Sequence, residues 1–424
     1  MLYPIYRCLT ACAGPVVPLI LDRRQKAGKE DGGRRGERLG VPSRPRPAGR
    51  LVWIHGASVG EALSVQTLIR RLLDHAPDIS VLLTTGTVTS ARLMEQRLPD
   101  RAVHQYLPVD RLAYARTFMD HWRPDLVLWV ESEIWPNLLT EIASRRIPAA
   151  MVNARMSDRS LARWRRFPGT TRRLLETFDV ILPWDAESGR RFALLGGRRI
   201  GPVGNLKFSA DPLQADPSAL DALRRSVAGR EVWLAASTHE GEEALCLDAH
   251  AILARDIPGL LTIIAPRHPS RGEDVALLAA GRGLKTVRRS GGELPDAGTE
   301  VYVADTLGEM GCLFRAVPIA LVGVSLIPHG GHNPIEPAQL GCAILHGPHM
   351  TNFPEIVQQL AENRAALEVS GATDLAAALR RLTGDEAARR RLADAAASVA
   401  GRNRFVLDAA LGEILPLLDR EARA

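Results

Sequence analysis

The segment His55-Gly56-Ala57-Ser58-Val59-Gly60-Glu61 places an acid at the end of a glycine-bearing loop. An apolar run, Leu51–Ile54, leads into it, and a helical pattern, Glu61–Leu73, leads out. Glycines let such a loop turn tightly, and a helix N-terminus favours negative charge. An ionised carboxylate held there can accept a proton, the task of a general base. The same acid can equally be a helix-start residue that satisfies backbone amides, and the pattern fits both roles. The spacing has neither the Lys-Ser/Thr of a Walker loop nor the G-x-G-x-x-G of a dinucleotide fingerprint.

Other loops carry comparable chemistry. Glu131-Ser132-Glu133-Ile134-Trp135-Pro136-Asn137 follows the apolar run Leu126–Val130 and reads as a polar pocket with an apolar wall, or as a helix cap. Asn153-Ala154-Arg155-Met156-Ser157 follows the next run and belongs on the same rim. Arg159, Arg163, Arg165, Arg166, Arg172 and Arg173 then interleave with Trp164 and Phe167. That mixture suits an anionic amphiphile, although a solvated helix face has the same look. Further on, Arg267 stands between Pro266 and Pro269, where its planar fork suits a phosphate. Asp305–Gly311 holds two glycines that permit close ligand approach. Pro328-His329-Gly330-Gly331-His332-Asn333-Pro334-Ile335-Glu336 joins a glycine turn to a helix start and an acid, a combination suited to a nucleotide. His329 and His332 lack the companion Cys or acid pair of a metal site, so none is expected.

These loops need strands and helices to hold them. Short apolar runs at Leu51–Ile54, Val81–Thr85, Leu126–Val130, Ala149–Val152 and Val180–Leu182 alternate with helical patterns such as Ser90–Arg97. The scheme repeats at Val232–Ala236, Leu260–Ala265, Val301–Ala304, Ile319–Val324 and Ala343–Leu345, with Glu240–Ala254 among its helices. Continuous apolar runs separated by helices predict parallel sheets covered on both faces. Ligands in such sheets bind beyond the carboxyl ends of the strands, where all the loops above lie. The break near Gly201–Ser209 divides the chain into a segment 1–50, a first α/β domain 51–205, a second 206–385 and C-terminal helices 386–424.

Composition narrows the class. Of 424 residues, 46% are hydrophobic and 24% charged, as in an ordinary folded protein. Residues 1–50 carry eleven Lys/Arg against four Asp/Glu, a local +7 that leaves the other 374 residues at −1 within the total of +6. A basic excess at one end suggests an anionic membrane surface, and no finger spacing, RNP-like motif or basic zipper points to nucleic acid. Five scattered cysteines read as inert thiols in the cytoplasm. Leu2–Leu21 approaches the roughly 20 residues of a membrane span, but Arg7, Pro4, Pro15 and Pro18 interrupt it. Membrane association is expected, as a span or as an interfacial segment.

Taken together, His55–Glu61, Glu131–Asn137, Pro266–Pro269, Leu307–Met310 and Gly330–Pro337, in that order, resemble the Kdo (3-deoxy-D-manno-octulosonic acid) transferases of lipopolysaccharide assembly. The resemblance runs from the N-terminal apolar segment to about Leu382. It implies a GT-B fold, two Rossmann-like domains around a cleft, the first taking a lipid A precursor and the second CMP-Kdo. It implies Glu61 as the catalytic base and a CMP site matching Pro266, Arg267, Gly308, Glu309, Met310, Asn333, Pro334, Ile335 and Glu336. Ser58, Gly60, Glu131, Arg155, Arg163 and Arg166 are the acceptor-side candidates. It also implies an inner-membrane location facing the cytoplasm. Because CMP departs with a single phosphate, Arg267 and helix N-termini can stabilise it, so no metal or other cofactor is expected. The alternatives are a GT-B enzyme using a UDP-sugar, as a lipid-directed transferase or an epimerase, and a non-catalytic membrane-associated binding module.

Overall fold

A computed structural model describes residues 2–131, 133–206, 209 and 211–419. Ser132, and Lys207 and Phe208 of the expected domain break, lie outside them. The chain forms two compact units, residues 1–210 with 403–424, and residues 211–402.

The first unit is a parallel sheet of six strands: β1 (Arg50–His55), β2 (Ile79–Thr85), β3 (Ala102–Tyr106), β4 (Leu126–Val130), β5 (Ala149–Ala154) and β6 (Val180–Pro183). Their spatial order is β3-β2-β1-β4-β5-β6, a doubly wound Rossmann-like sheet. The strands are largely buried because helices cover both faces, which gives two cores. One holds Val52, Ile54, Val81 and Leu128; the other holds Trp53, Leu82, Val127 and Trp129. Helix Gln66–His75 shows how a face is chosen: Leu68, Ile69, Leu72 and Leu73 are buried, and the polar residues between them face outward. Each such leucine contributes about 1.5–3 kcal/mol by leaving water. The final helix, Glu386–Leu418, supplies Leu407, Leu411 and Ile414 to the first of these cores.

The second unit is a parallel sheet of seven strands: β7 (Val232–Thr238), β8 (Leu261–Pro266), β9 (Thr286–Arg288), β10 (Val301–Val303), β11 (Ile319–Val322), β12 (Ala343–His346) and β13 (Ala366–Glu368). They lie in the order β13-β12-β11-β7-β8-β10-β9.

Two features depart from the sequence-based expectation. The strands β3, β9 and β13 have no counterpart in the apolar runs. The expected helix Glu61–Leu73 is instead two, Val59–Ser64 and Gln66–His75, broken at Val65. There the Ser64 hydroxyl donates to the Glu61 carbonyl at 2.7 Å and competes with the helical ladder.

The N-terminal segment packs on the first unit as helices Leu2–Cys12 and Val17–Lys26, a pair bent by 47°. No single helix among the described residues is long and apolar enough to cross a membrane. Much of the basic stretch after it is engaged in the fold. Arg34 pairs with Glu37 and Glu95, Arg38 with Glu30, Arg46 with Asp125, and Arg50 with Asp78 and Asp419.

Candidate active site

In the first unit, Ser58 caps helix Val59–Ser64, its Oγ accepting from the Glu61 amide at 3.3 Å. The Ser58 hydroxyl donates to Glu61 Oε1 at 2.7 Å, and the Ala57 amide donates to Oε2 at 2.8 Å. This is a capping box whose acid reaches back to the turn before the helix. An ionised carboxylate has about four acceptor positions, so two remain after these bonds. Capping and proton acceptance are therefore compatible at Glu61, which is buried with 8% of its surface exposed. Gly60 lies in the same first turn.

Glu61 lines a cavity of 670 Å³ with Glu131, Glu133, Trp135, Arg163 and Trp164. Glu131 holds a left-handed backbone, φ 59°, at the carboxyl end of β4. Such strain in a non-glycine residue clusters at functional loops. Arg155 stacks on Trp184, its guanidinium 4.2 Å from the ring centroid, and Arg166 is exposed. Neither is among the residues lining this cavity. Glu61, Glu131 and Arg163 are thus brought together, with Ser58 holding Glu61 in place.

Two further residues of the first unit were given no role by sequence. His55, fully buried at the end of β1, contacts the Thr84 carbonyl and hydroxyl through Nδ1 at 3.2 and 3.1 Å. Its Nε2 has no hydrogen-bond partner and lies 3.6 Å from Glu133 Oε2. The neighbouring His55 ring holds the Glu133 carboxyl below its usual range, against the effect of burial. Asp110 accepts from the Asn137 and Leu138 amides at 3.0 and 2.9 Å and from the Tyr6 hydroxyl at 2.9 Å. Burial nevertheless pushes its carboxyl upward. His55 was visible at the head of its motif. Asp110 was not, because it follows the unexpected strand β3.

In the second unit, the carboxyl ends of β8, β10 and β11 carry the remaining candidates. Pro266 closes β8, and the Arg267 amide donates to the Thr238 carbonyl at 2.9 Å, leaving the side chain exposed. Gly330 and Gly331 have φ 97° and 72°. A side-chain carbon on Gly331 would meet Met350 Sδ at 2.2 Å in a left-handed turn, so glycine is favoured here. Beyond the turn, Asn333 Oδ1 accepts from the Ile335 amide at 3.1 Å, Pro334 precedes helix Ile335–Gln339, and Ile335 is buried. Glu336 is raised by burial, opposed by Asn333 and by the Arg267 charge. His332 falls to about 4 through burial and the charges of Arg267 and His239. His239, 5.2 Å from His329 between ring centroids, went unnoticed in the sequence. Gly308 turns with φ 85°, and Glu309 directly precedes helix Met310–Ala316 without a side-chain capping bond. Arg289 reaches Glu309 at 2.7 Å and holds it below its usual range. Among the described residues no group of three or more His, Cys, Asp or Glu is placed to hold a metal ion.

Comparison with known proteins gives this arrangement a context. Residues 33–210 match the family model described as 3-Deoxy-D-manno-octulosonic-acid transferase (kdotransferase). A 3-deoxy-D-manno-octulosonic acid transferase of Haemophilus influenzae is 35% identical over 385 residues, covering 90% of each chain. A probable mitochondrial one of Arabidopsis thaliana is also 35% identical, over 85% of this chain and 83% of its own. Among solved structures, UDP-GlcNAc 2-epimerase from Neisseria meningitidis and MurG from Acinetobacter baumannii each superpose with a TM-score of 0.50. At 14% and 11% identity, covering 86% and 87% of this chain and 100% and 99% of theirs, they share the GT-B fold alone. The identity to the curated transferases, sustained over nearly the whole chain, decides the matter: this chain belongs to the Kdo transferase family of glycosyltransferases.

Proposed function

We propose that the protein is an inverting transferase that moves Kdo from CMP-Kdo to a lipid A precursor, with Glu61 as general base. The carrying observation is a carboxylate fixed by Ala57 and Ser58, with acceptor positions to spare, on a cavity that also holds Glu131, Glu133 and Arg163. Inversion requires one base for the attacking hydroxyl and a stabilised leaving phosphate. Glu61 takes the hydroxyl proton as the oxygen attacks the anomeric carbon, and the bond to CMP breaks with its electron pair going to the phosphate. Arg267 and the backbone of the Gly330–Asn333 turn receive that charge, while Glu336 meets the ribose hydroxyls. The protein works at the cytoplasmic face of the inner membrane, where its acceptor resides. Family membership and the packed apolar N-terminal helices support this reading.

The test is incubation with a CMP-Kdo-generating system and a tetra-acylated lipid A precursor, with product masses measured. Addition of Kdo is expected, in chelator as well as in magnesium. Thermal protection by UDP but not by CMP would assign a different donor. Turnover lost on chelation and restored by magnesium would overturn the metal-free step.

A further inference from the structure

A second cavity in the first unit, of 380 Å³, has no part in the chemistry above. Its volume falls within the range of about 300–1,000 Å³ usual for small-molecule pockets. Its walls are Val17, Ile20 and Leu21 of helix Val17–Lys26 on one side and Leu107, Pro108 and Val109 on the other. At one end Glu30 pairs with Arg24 at 2.8 Å and Arg38 at 2.9 Å, so those charges are satisfied within the protein. The inner end is different. His55, Glu133 and Trp135 line it, and the His55 Nε2 has no hydrogen-bond partner there. Glu133 and Trp135 also line the cavity that contains Glu61, so the two cavities share a wall. The outer edge is open: Ile20 is 52% exposed and continues onto exposed Val16 and Leu19.

An apolar path therefore runs from the surface of the N-terminal helices to the edge of the Glu61 cavity. We propose that it houses one acyl chain of the lipid acceptor, a proposal that rests on the acceptor reading above. The sugar head occupies the cavity of Glu61, Glu131 and Arg163. The chain passes Trp135 and lies against Val17, Ile20 and Leu21. The junction of chain and head lies at the shared wall, beside Trp135 and the Glu133 carboxylate that His55 Nε2 faces at 3.6 Å. Helix Val17–Lys26 is then a wall of the acceptor site, and its exposed apolar edge is where the chain enters from the bilayer.

Binding of the fluorescent fatty acid cis-parinaric acid to the purified full-length protein tests this, alongside transfer assays with acylated and deacylated acceptors. The wild type is expected to bind one equivalent saturably, and the acylated precursor to displace it. Ile20→Trp narrows the mouth at an exposed position, and Leu21→Trp fills the interior. Each should weaken the fatty acid by about tenfold and raise the ratio of KM for acylated over deacylated acceptor by a similar factor. Absence of saturable binding in the wild type, or an unchanged KM ratio in Ile20→Trp, overturns the cavity assignment. Binding without transfer to any acceptor instead overturns the proposed function, leaving the chain site in place.

Discussion

In the first unit the loop after β1 is braced by its own acid, whereas in the second the loop after β11 is braced by an acid from elsewhere. Glu61 closes a capping box with Ala57 and Ser58 and also faces a cavity. Glu242, at the start of helix Glu242–Leu253, accepts from the Val324, Ser325 and Leu326 amides at 2.7, 3.1 and 3.0 Å and is fully buried. Its carboxylate is consumed by holding the chain, and the proposed ligand contacts fall to Arg267 and the Gly330–Asn333 backbone. On the proposed roles, bracing and chemistry are one residue in the first unit and separate residues in the second. Substitutions should mix the two effects on one side and resolve them on the other.

The largest effect is expected at Glu61. Glu61→Gln keeps a side chain that serves a capping box but cannot act as a base. It should lower kcat by about 10²- to 10⁴-fold with little change in thermal stability. Glu61→Ala should lose the same activity and, in addition, about 1 kcal/mol of stability as the cap goes. A Gln variant that turns over at the wild-type rate would reduce Glu61 to a cap.

Next comes Arg267→Ala, which removes an exposed cation without touching the brace. CMP affinity, measured by calorimetry, should fall about 10- to 100-fold, the range for hydrogen bonds to charged groups, while the unfolding midpoint stays. Glu242→Gln is the converse. Its amide group turns donors toward backbone donors, and one buried unpaired amide costs about 1–3 kcal/mol. Urea unfolding should show that loss. If Arg267→Ala destabilised the fold as much as Glu242→Gln, the separation of roles in the second unit would fail.

What the sequence made legible follows the same division. The His55–Glu61 turn is local: strand, glycine loop and helix start lie within a dozen residues, and periodicity reveals all three. Glu242 acts 82 to 84 residues away in the chain, and Asp110 acts 27 and 28 residues away, so no local pattern marks either. Strand β3 carries buried His104 and Gln105, which interrupt any apolar run. Strands β9 and β13 are three-residue sheet edges bearing Arg288 and Glu368, where charge deters further pairing and erases the strand signal. In the basic stretch Gly28–Arg50, composition cannot show that Arg34, Arg38 and Arg50 find acids within the fold.

A smaller effect separates the units by pH. His332 stands at about 4 and His104, in the first unit, at about 3, each lowered mainly by burial and then by nearby arginine charge. The unfolded chain binds these protons near the usual imidazole value of about 6.5, and the native protein resists them. The stability each neutral ring contributes is therefore present above pH 6.5 and is lost as pH falls through about 4 for His332 and about 3 for His104. His332→Gln should flatten the acid side of a stability-against-pH curve down to pH 4, and His104→Gln should flatten it further down. Identical curves for both variants and the wild type would show that neither ring resists protonation.

The smallest effect is expected at the N-terminal helix. Tyr6→Phe deletes one hydrogen bond to Asp110, which keeps its two amide donors, so the loss should be about 0.5–1.5 kcal/mol. Because Tyr6 belongs to helix Leu2–Cys12 and Asp110 to the sheet-end loop, that loss should act on attachment of the helix. Amide exchange across residues 2–26 should quicken about tenfold while exchange in β1 and β4 stays slow. Equal acceleration in the strands would mean that the helix and the sheet unfold as one cooperative piece. The bond would then stabilise the whole first unit, and the helix would share the rigidity of the Glu61 loop.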